Sequence, residues 1–190
     1  MIKKTIKLDI IDITEGYNVM ESISMRESFR DFRDEEIGTK DLADILWAAN
    51  GKVGKNKKRI AAPSSHNVQE ITVYVFNKDG VYKYNNDEHL LLLVIEGDNR
   101  ELLYGSQSIS APLGILIVSD YTKINSKSLS IEQVAALDAG IVTENIALFC
   151  SSINIGNVTR MTMNKSEIIK LLKLPEGQVP LINNLVGYIR

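Results

Sequence analysis

Ala62-Pro63-Ser64-Ser65-His66-Asn67-Val68-Gln69 runs straight into Glu70-Ile71-Thr72-Val73-Tyr74-Val75-Phe76-Asn77, and the chain changes character at residue 70. Before it lie a proline and short polar side chains, the composition of a loop. After it, Ile71, Val73 and Val75 alternate with Thr72, Tyr74 and Phe76, the period of two that specifies a strand. Asp79-Gly80 then reads as the turn of a hairpin into Val81 to Tyr84. Leu113 to Val118 is a second buried strand, bounded by Pro112 and Asp120, whereas Leu90 to Ile95 suits either a strand or a buried helix.

Helical periods flank these strands. Leu42, Ile45, Leu46 and Ala49 repeat at i, i+3, i+4 and i+7, which predicts a helix over 39–50 capped by Thr39 and released by a left-handed Gly51. Ser130-Ile131-Glu132-Gln133 is a capping box opening a helix to about Ser152, apolar on most of its circumference and closed by Gly156. Such a helix needs cover on nearly every side, from a core or from a second subunit. A further helix, about 165–174, is capped by Asn164 or Ser166 and stopped by Pro175. Leu181 to Arg190 reads as an extended tail. Strand and helix signals alternate without a linker or repeat, so the expected fold class is α+β, one domain spanning residues 1–190.

The chain has 190 residues, 22 Lys plus Arg against 24 Asp plus Glu, and 44% hydrophobic residues. That balance supplies no field to hold nucleic acid or an anionic membrane, so any phosphate must be bound locally. The basic run Lys52 to Arg59 contains no aromatic residue on which bases would stack, and no nucleic-acid partner is expected. The amino terminus alternates Ile with Lys and Asp and lacks the apolar run of a signal peptide; the 131–155 stretch carries Glu132, Asp138 and Glu144, so no membrane span is expected. One cysteine, Cys150, among apolar neighbours fits a reducing, cytoplasmic setting.

Familiar sites fail on spacing. His66 and His89 have no ligand partners near them, so no metal is expected. There is no Gly-x-Ser-x-Gly elbow and no Gly-x-Gly-x-x-Gly; at Gly54-Lys55 the phosphate-loop pattern meets Ala49 and Asn56 where Gly and Ser or Thr belong. Two segments keep chemistry. In Arg26-Glu27-Ser28-Phe29-Arg30-Asp31-Phe32, an extended chain puts residues 26, 28 and 30 on one side, two guanidinium forks around a hydroxyl, which suits a phosphate monoester; alternatively Glu27, Asp31, Asp34 and Glu35 neutralise both arginines on a plain surface. The 62–69 loop offers amides and short polar side chains to a heterocycle, or is an ordinary loop.

Taken in order, these segments resemble the FMN-dependent nitroreductase family, which carries Arg-x-Ser-x-Arg/Lys-x-Phe near its amino terminus and then Pro-Ser-x-x-Asn-x-Gln entering a strand. Arg26, Ser28, Arg30 and Phe32 fit the first motif; Pro63, Ser64, Ser65, Asn67 and Gln69 fit the second. Leu46-Trp47-Ala48-Ala49-Asn50-Gly51 is similar to the branch that oxidises peptide thiazolines and oxazolines. The likeness continues through 80–84, Gln107 ahead of Ala111-Pro112, the Asn145 helix and Val186-Gly187-Tyr188.

The resemblance implies a mixed, mainly antiparallel sheet flanked by helices, in a homodimer with the long helix at its interface and the tail crossing to the partner. It implies that Arg26, Ser28 and Arg30 hold the FMN phosphate, joined by Arg190, and that Gln107 faces the pyrimidine edge of the flavin. Pro63, Ser64, Ser65 and Asn67 would reach the flavin from the other subunit. Glu27 departs from a usual basic residue or His, and Glu70 from a frequent Pro. The implied activity passes electrons from NADH or NADPH through FMN to a small electrophilic acceptor, a nitroaromatic, quinone or enone. The flavin carries the chemistry, so no catalytic side chain is named. The alternatives are an azoline dehydrogenase of peptide maturation and a flavin-binding protein without turnover.

Overall fold

The structure is a computed structural model that describes residues 5–106 and 108–190; the expectation for Gln107 lies outside the described residues. Its centre is a seven-stranded sheet, built of β1 (Thr5–Lys7), β4 (Ile71–Asn77), β5 (Gly80–Asn85), β6 (Leu90–Glu96), β7 (Leu113–Asp120), β8 (Ile155–Arg160) and β9 (Gln178–Tyr188). The strand order is β1-β6-β5-β4-β7-β9-β8, and every neighbouring pair is antiparallel. Two short strands, β2 (Lys52–Val53) and β3 (Arg59–Ile60), form a separate hairpin. The helices are α1 (Val19–Met25), α2 (Thr39–Asn50), α3 (Glu101–Tyr104), α4 (Ile131–Ser152) and α5 (Lys165–Leu172).

The alternation in β4 divides the core as the sequence implies. Val73 and Val75 join Ile45 and Leu46 of α2 and Ala139, Val142 and Ile146 of α4 on one face. Tyr74 and Phe76 join Leu103, Ile168 and Leu172 on the other. The sheet is therefore covered by α2 and α4 on one side and by α3 and α5 on the other. By length and composition α4 is long and apolar enough to cross a membrane, yet half of its apolar stretch is buried here and it packs on α1, α2 and the sheet. Leu137 and Ile141 remain exposed on its outer face.

Several local expectations are corrected. Residues 178–188 are no tail crossing to a partner; they are β9, hydrogen-bonded on both sides to β7 and β8 of the same chain. Residue 90 onward resolves to a strand. Thr39 is the first residue inside α2, so the cap position falls to Gly38, which has no side chain to use. Gly51 is extended (φ −70°) because the chain enters β2 at once, and it is glycine because a Cβ there would collide with the Trp47 ring. The hairpin turn is Lys78-Asp79, with Gly80 already paired to Asn77; Asn77 Oδ1 accepts both the Asp79 and Gly80 amides at 3.0 Å. The α4 capping box forms, but the helix ends at Ser152 and Gly156 belongs to β8. The Asn164 side chain makes no cap bond, and α5 ends at left-handed Lys173 before Pro175 is reached.

Candidate functional site

The arginine segment follows α1 and lies along the β8–β9 end of the sheet. Phe29 N donates to Asn157 O at 3.0 Å, Arg33 N to Tyr188 O at 2.9 Å, and Phe32 bridges Ile189. Gly156 and Gly187 are direct cross-strand partners, and the buried Phe32 ring rests on them. With Phe32 fixed, Arg30 turns toward a cleft of about 780 Å³ whose wall includes Tyr104, Ser108, Ser110, Pro112 and Arg190. That volume falls in the usual range for a small-molecule site.

Arg190 is tied down. Its Nε donates to Phe32 O at 3.1 Å and stands 3.4 Å from Asp31. Arg30 Nη1 donates to Ser28 O at 3.2 Å. Among the described residues neither Arg26 nor Arg30 makes an ion pair, although Asp31 and Asp34 line the same cleft as Arg30. Arg26, Ser28 and Arg30 are all exposed, and of the three only Arg30 lines the cleft.

Arg160, on β8, was not singled out by sequence. It is buried, donating to Leu103 O at 3.0 Å and Tyr104 O at 2.7 Å, which fixes the end of α3 that walls the cleft. Burial, and then the positive charge of Arg30, lower its pKa. Tyr104 Oη in turn donates to Ala111 O at 3.0 Å, and Arg100 Nη1 holds Ala111 O and Pro112 O at 3.1 and 3.2 Å.

The second predicted segment is a short turn at Ser65–Asn67. Ser64 Oγ accepts Gln69 N at 2.9 Å, and Asn67 Oδ1 accepts Gln69 Nε2 at 3.0 Å. His66, Asn67 and Gln69 all have φ between 50° and 56°, a left-handed conformation that non-glycine residues adopt at a cost. Ser65 N donates to Asp138 Oδ2 of α4 at 2.8 Å. Glu70, next in the chain, is fully buried; burial above all, and Asp138 beside it, push its carboxyl pKa up to about 7.

The two segments do not meet. Arg30 shares its cleft with Pro112, just before β7 begins, whereas Glu70 O accepts Asp120 N at the end of β7. At ~3.3 Å per residue, roughly 25 Å of strand separates them. One chain therefore presents two partial sites at opposite ends of a strand.

The nitroreductase family model matches residues 23–188, and the chain belongs to that family of oxidoreductases. A nitroreductase-like protein of Methanocaldococcus jannaschii is 24% identical over 197 residues, covering 96% of each chain. The crystal structure of a nitroreductase-like protein from Ralstonia eutropha JMP134 superposes with a TM-score of 0.90 at 28% identity, over 98% of this chain and 90% of that one. The Escherichia coli microcin synthetase McbBCD complex, with truncated pro-MccB17 bound, shares the fold at a TM-score of 0.74 and 17% identity, over 96% of this chain and 75% of that one.

Proposed function

We propose that this protein is a homodimeric FMN-dependent oxidoreductase that takes electrons from NADH or NADPH and gives them to a small electrophilic acceptor such as a nitroaromatic, a quinone or an enone. The observation that carries this reading is the cleft lined by Arg30 and Arg190, in which Arg30 makes no ion pair with a described residue. Asp31, Asp34 and Glu101 also line the cleft, but Asp31 is taken by Arg190, and Arg30 is left to meet a phosphate ester. Arg30, with Arg26 and Ser28 beside it and Arg190 closing the cleft, would hold the FMN phosphate. When bound, FMN supplies the hydride and electron chemistry that no side chain of this protein can perform.

What the chain contributes is position. Phe32, anchored on Gly156 and Gly187, aims Arg30; Arg160 holds the α3 carbonyls and so the far wall. Pro63, Ser64, Ser65 and Asn67 stand too far along β7 to serve the flavin bound by their own Arg30, since FMN is shorter than the intervening strand. They serve the partner's flavin, and the dimer follows. Leu137 and Ile141 on α4 and Val19, Met20 and Ile23 on α1, all exposed, supply the apolar surface that a second copy covers.

The stretch that resembles the azoline-oxidising branch has a structural task here. Trp47 Nε1 donates to Lys52 O, Gly51 makes room for the Trp47 ring, and Asn50 Nδ2 donates to Ile71 O. These contacts account for the stretch structurally and do not by themselves call for an azoline substrate, so the simple acceptor reading is preferred.

The test is a visible spectrum of the purified protein, identification of any released flavin, and NADH or NADPH consumption with a nitroaromatic acceptor. Yellow protein carrying FMN and turning over supports the reading. Yellow protein without turnover leaves a flavin-binding protein, and colourless protein indifferent to added FMN ends it.

A further inference from the structure

Glu70 immediately precedes β4 at the root of the 63–67 loop, and it is an acid where water does not reach. It has no exposed surface, and neither carboxyl oxygen receives a donor from another described residue. Asp138 of α4, itself buried, packs against it while accepting the Ser65 amide at 2.8 Å. Two carboxyl groups meeting with no donor between them repel when both are charged and bond when one carries a proton. Lys123, from the turn after β7, and Glu70's own backbone amide favour the charged form; burial and Asp138 oppose it.

We propose that Glu70 in its protonated form donates to Asp138 and that the two act as the positioning pair of the 63–67 loop. The proton on Glu70 is donated to Asp138, which ties the start of β4 to α4 and leaves Asp138 Oδ2 in place to hold the Ser65 amide. Loss of that proton to solvent sets two carboxylates against each other, and the side of the pair that gives is the one hydrogen-bonded to a strained loop. The inference rests on the reading of 63–67 as a flavin-contacting loop. Under it, FMN affinity carries a proton dependence that originates outside the cofactor.

The experiment measures, between pH 5.5 and 8.5 on the intact protein, hydrogen exchange at the Ser65 amide corrected for intrinsic rate, and FMN affinity. It compares the wild type with Glu70→Gln and Asp138→Asn. The wild type should lose Ser65 protection as pH rises through 7, and its Kd for FMN should climb by up to about tenfold per pH unit relative to Glu70→Gln. Glu70→Gln donates to Asp138 at every pH, so its protection should be flat. Asp138→Asn donates to a charged Glu70 and still accepts from Ser65, so it should hold the loop best at high pH, and it keeps the test open if Glu70→Gln misfolds. Equal pH slopes in the wild type and both variants, or Ser65 protection in the wild type that ignores pH, would overturn the pair. Protection that titrates in the wild type alone, with no FMN binding at any pH, upholds the pair and rejects the flavin reading of the loop.

Discussion

A Cβ added to Gly187 would stand 2.8 Å from the Cβ of Phe32, closer than real side chains pack. Phe32 is two residues past Arg30, so this contact links the β8–β9 end of the sheet to the candidate phosphate site. The bare backbone of β9 is what lets the arginine segment lie down.

Gly187→Ala should therefore destabilise the fold by about 1 to 3 kcal/mol, the usual cost of overpacking, since Pro112 Cδ closes the other side at 2.8 Å. Urea denaturation measures the loss. FMN affinity should fall in the same variant, because Phe32 moves and Arg30 moves with it.

Arg30→Ala should weaken FMN far more than riboflavin. A charge-assisted hydrogen bond is worth roughly 1.5 to 3 kcal/mol, or about ten- to hundred-fold in Kd, and only FMN carries the phosphate. Titration of both flavins gives the comparison. Equal losses would mean that Arg30 packs and does not bind phosphate.

The outer face of α4 supplies a separate handle on assembly. Leu137 is 61% exposed in the single chain, so Leu137→Lys should leave the monomer fold intact. Sedimentation should show a shift toward monomer, with flavin lost in parallel.

Stability should also respond to pH through Glu70. Its pKa is raised from 4.5 to about 7 by burial first, so between those values the folded protein holds a proton that the unfolded chain has released. That stabilisation is complete below pH 4.5, falls as pH rises through the window, and is gone above about 7. One proton gives a slope of at most about 1.4 kcal/mol per pH unit. Thermal melts of the wild type against Glu70→Gln isolate it, because the other carboxylates are common to both.

The parts legible in sequence are those where one residue type carries one signal. The β4 alternation, the α2 stripe and the α4 capping box all form as read. β9 was hidden because Asn183 and Asn184 are fully buried inside it, with Asn184 Nδ2 satisfied by Asn157 Oδ1 at 3.1 Å and Thr159 Oγ1 at 2.9 Å. Polar residues paired across strands break the apolar pattern that announces a core strand, and the same residues concealed β8. In the site, the motif residues were visible because they are contiguous. Arg160 and Asp138 were not, because the sheet and α4 bring them to partners far off in the chain, Arg160 being 57 positions from Leu103 and Asp138 73 from Ser65. Nothing in the local sequence of either marks that meeting.

The most direct test is FMN occupancy in mixed dimers that pair an Arg26→Ala, Arg30→Ala subunit with one whose 64–67 loop is disrupted. Each parent homodimer should bind little flavin. If each site takes its arginines from one subunit and its loop from the other, the mixed dimer has one site with both lesions and one with neither, and half the wild-type occupancy should return. A flavin-loaded monomer, or properly formed mixed dimers that recover no flavin, would contradict the shared site.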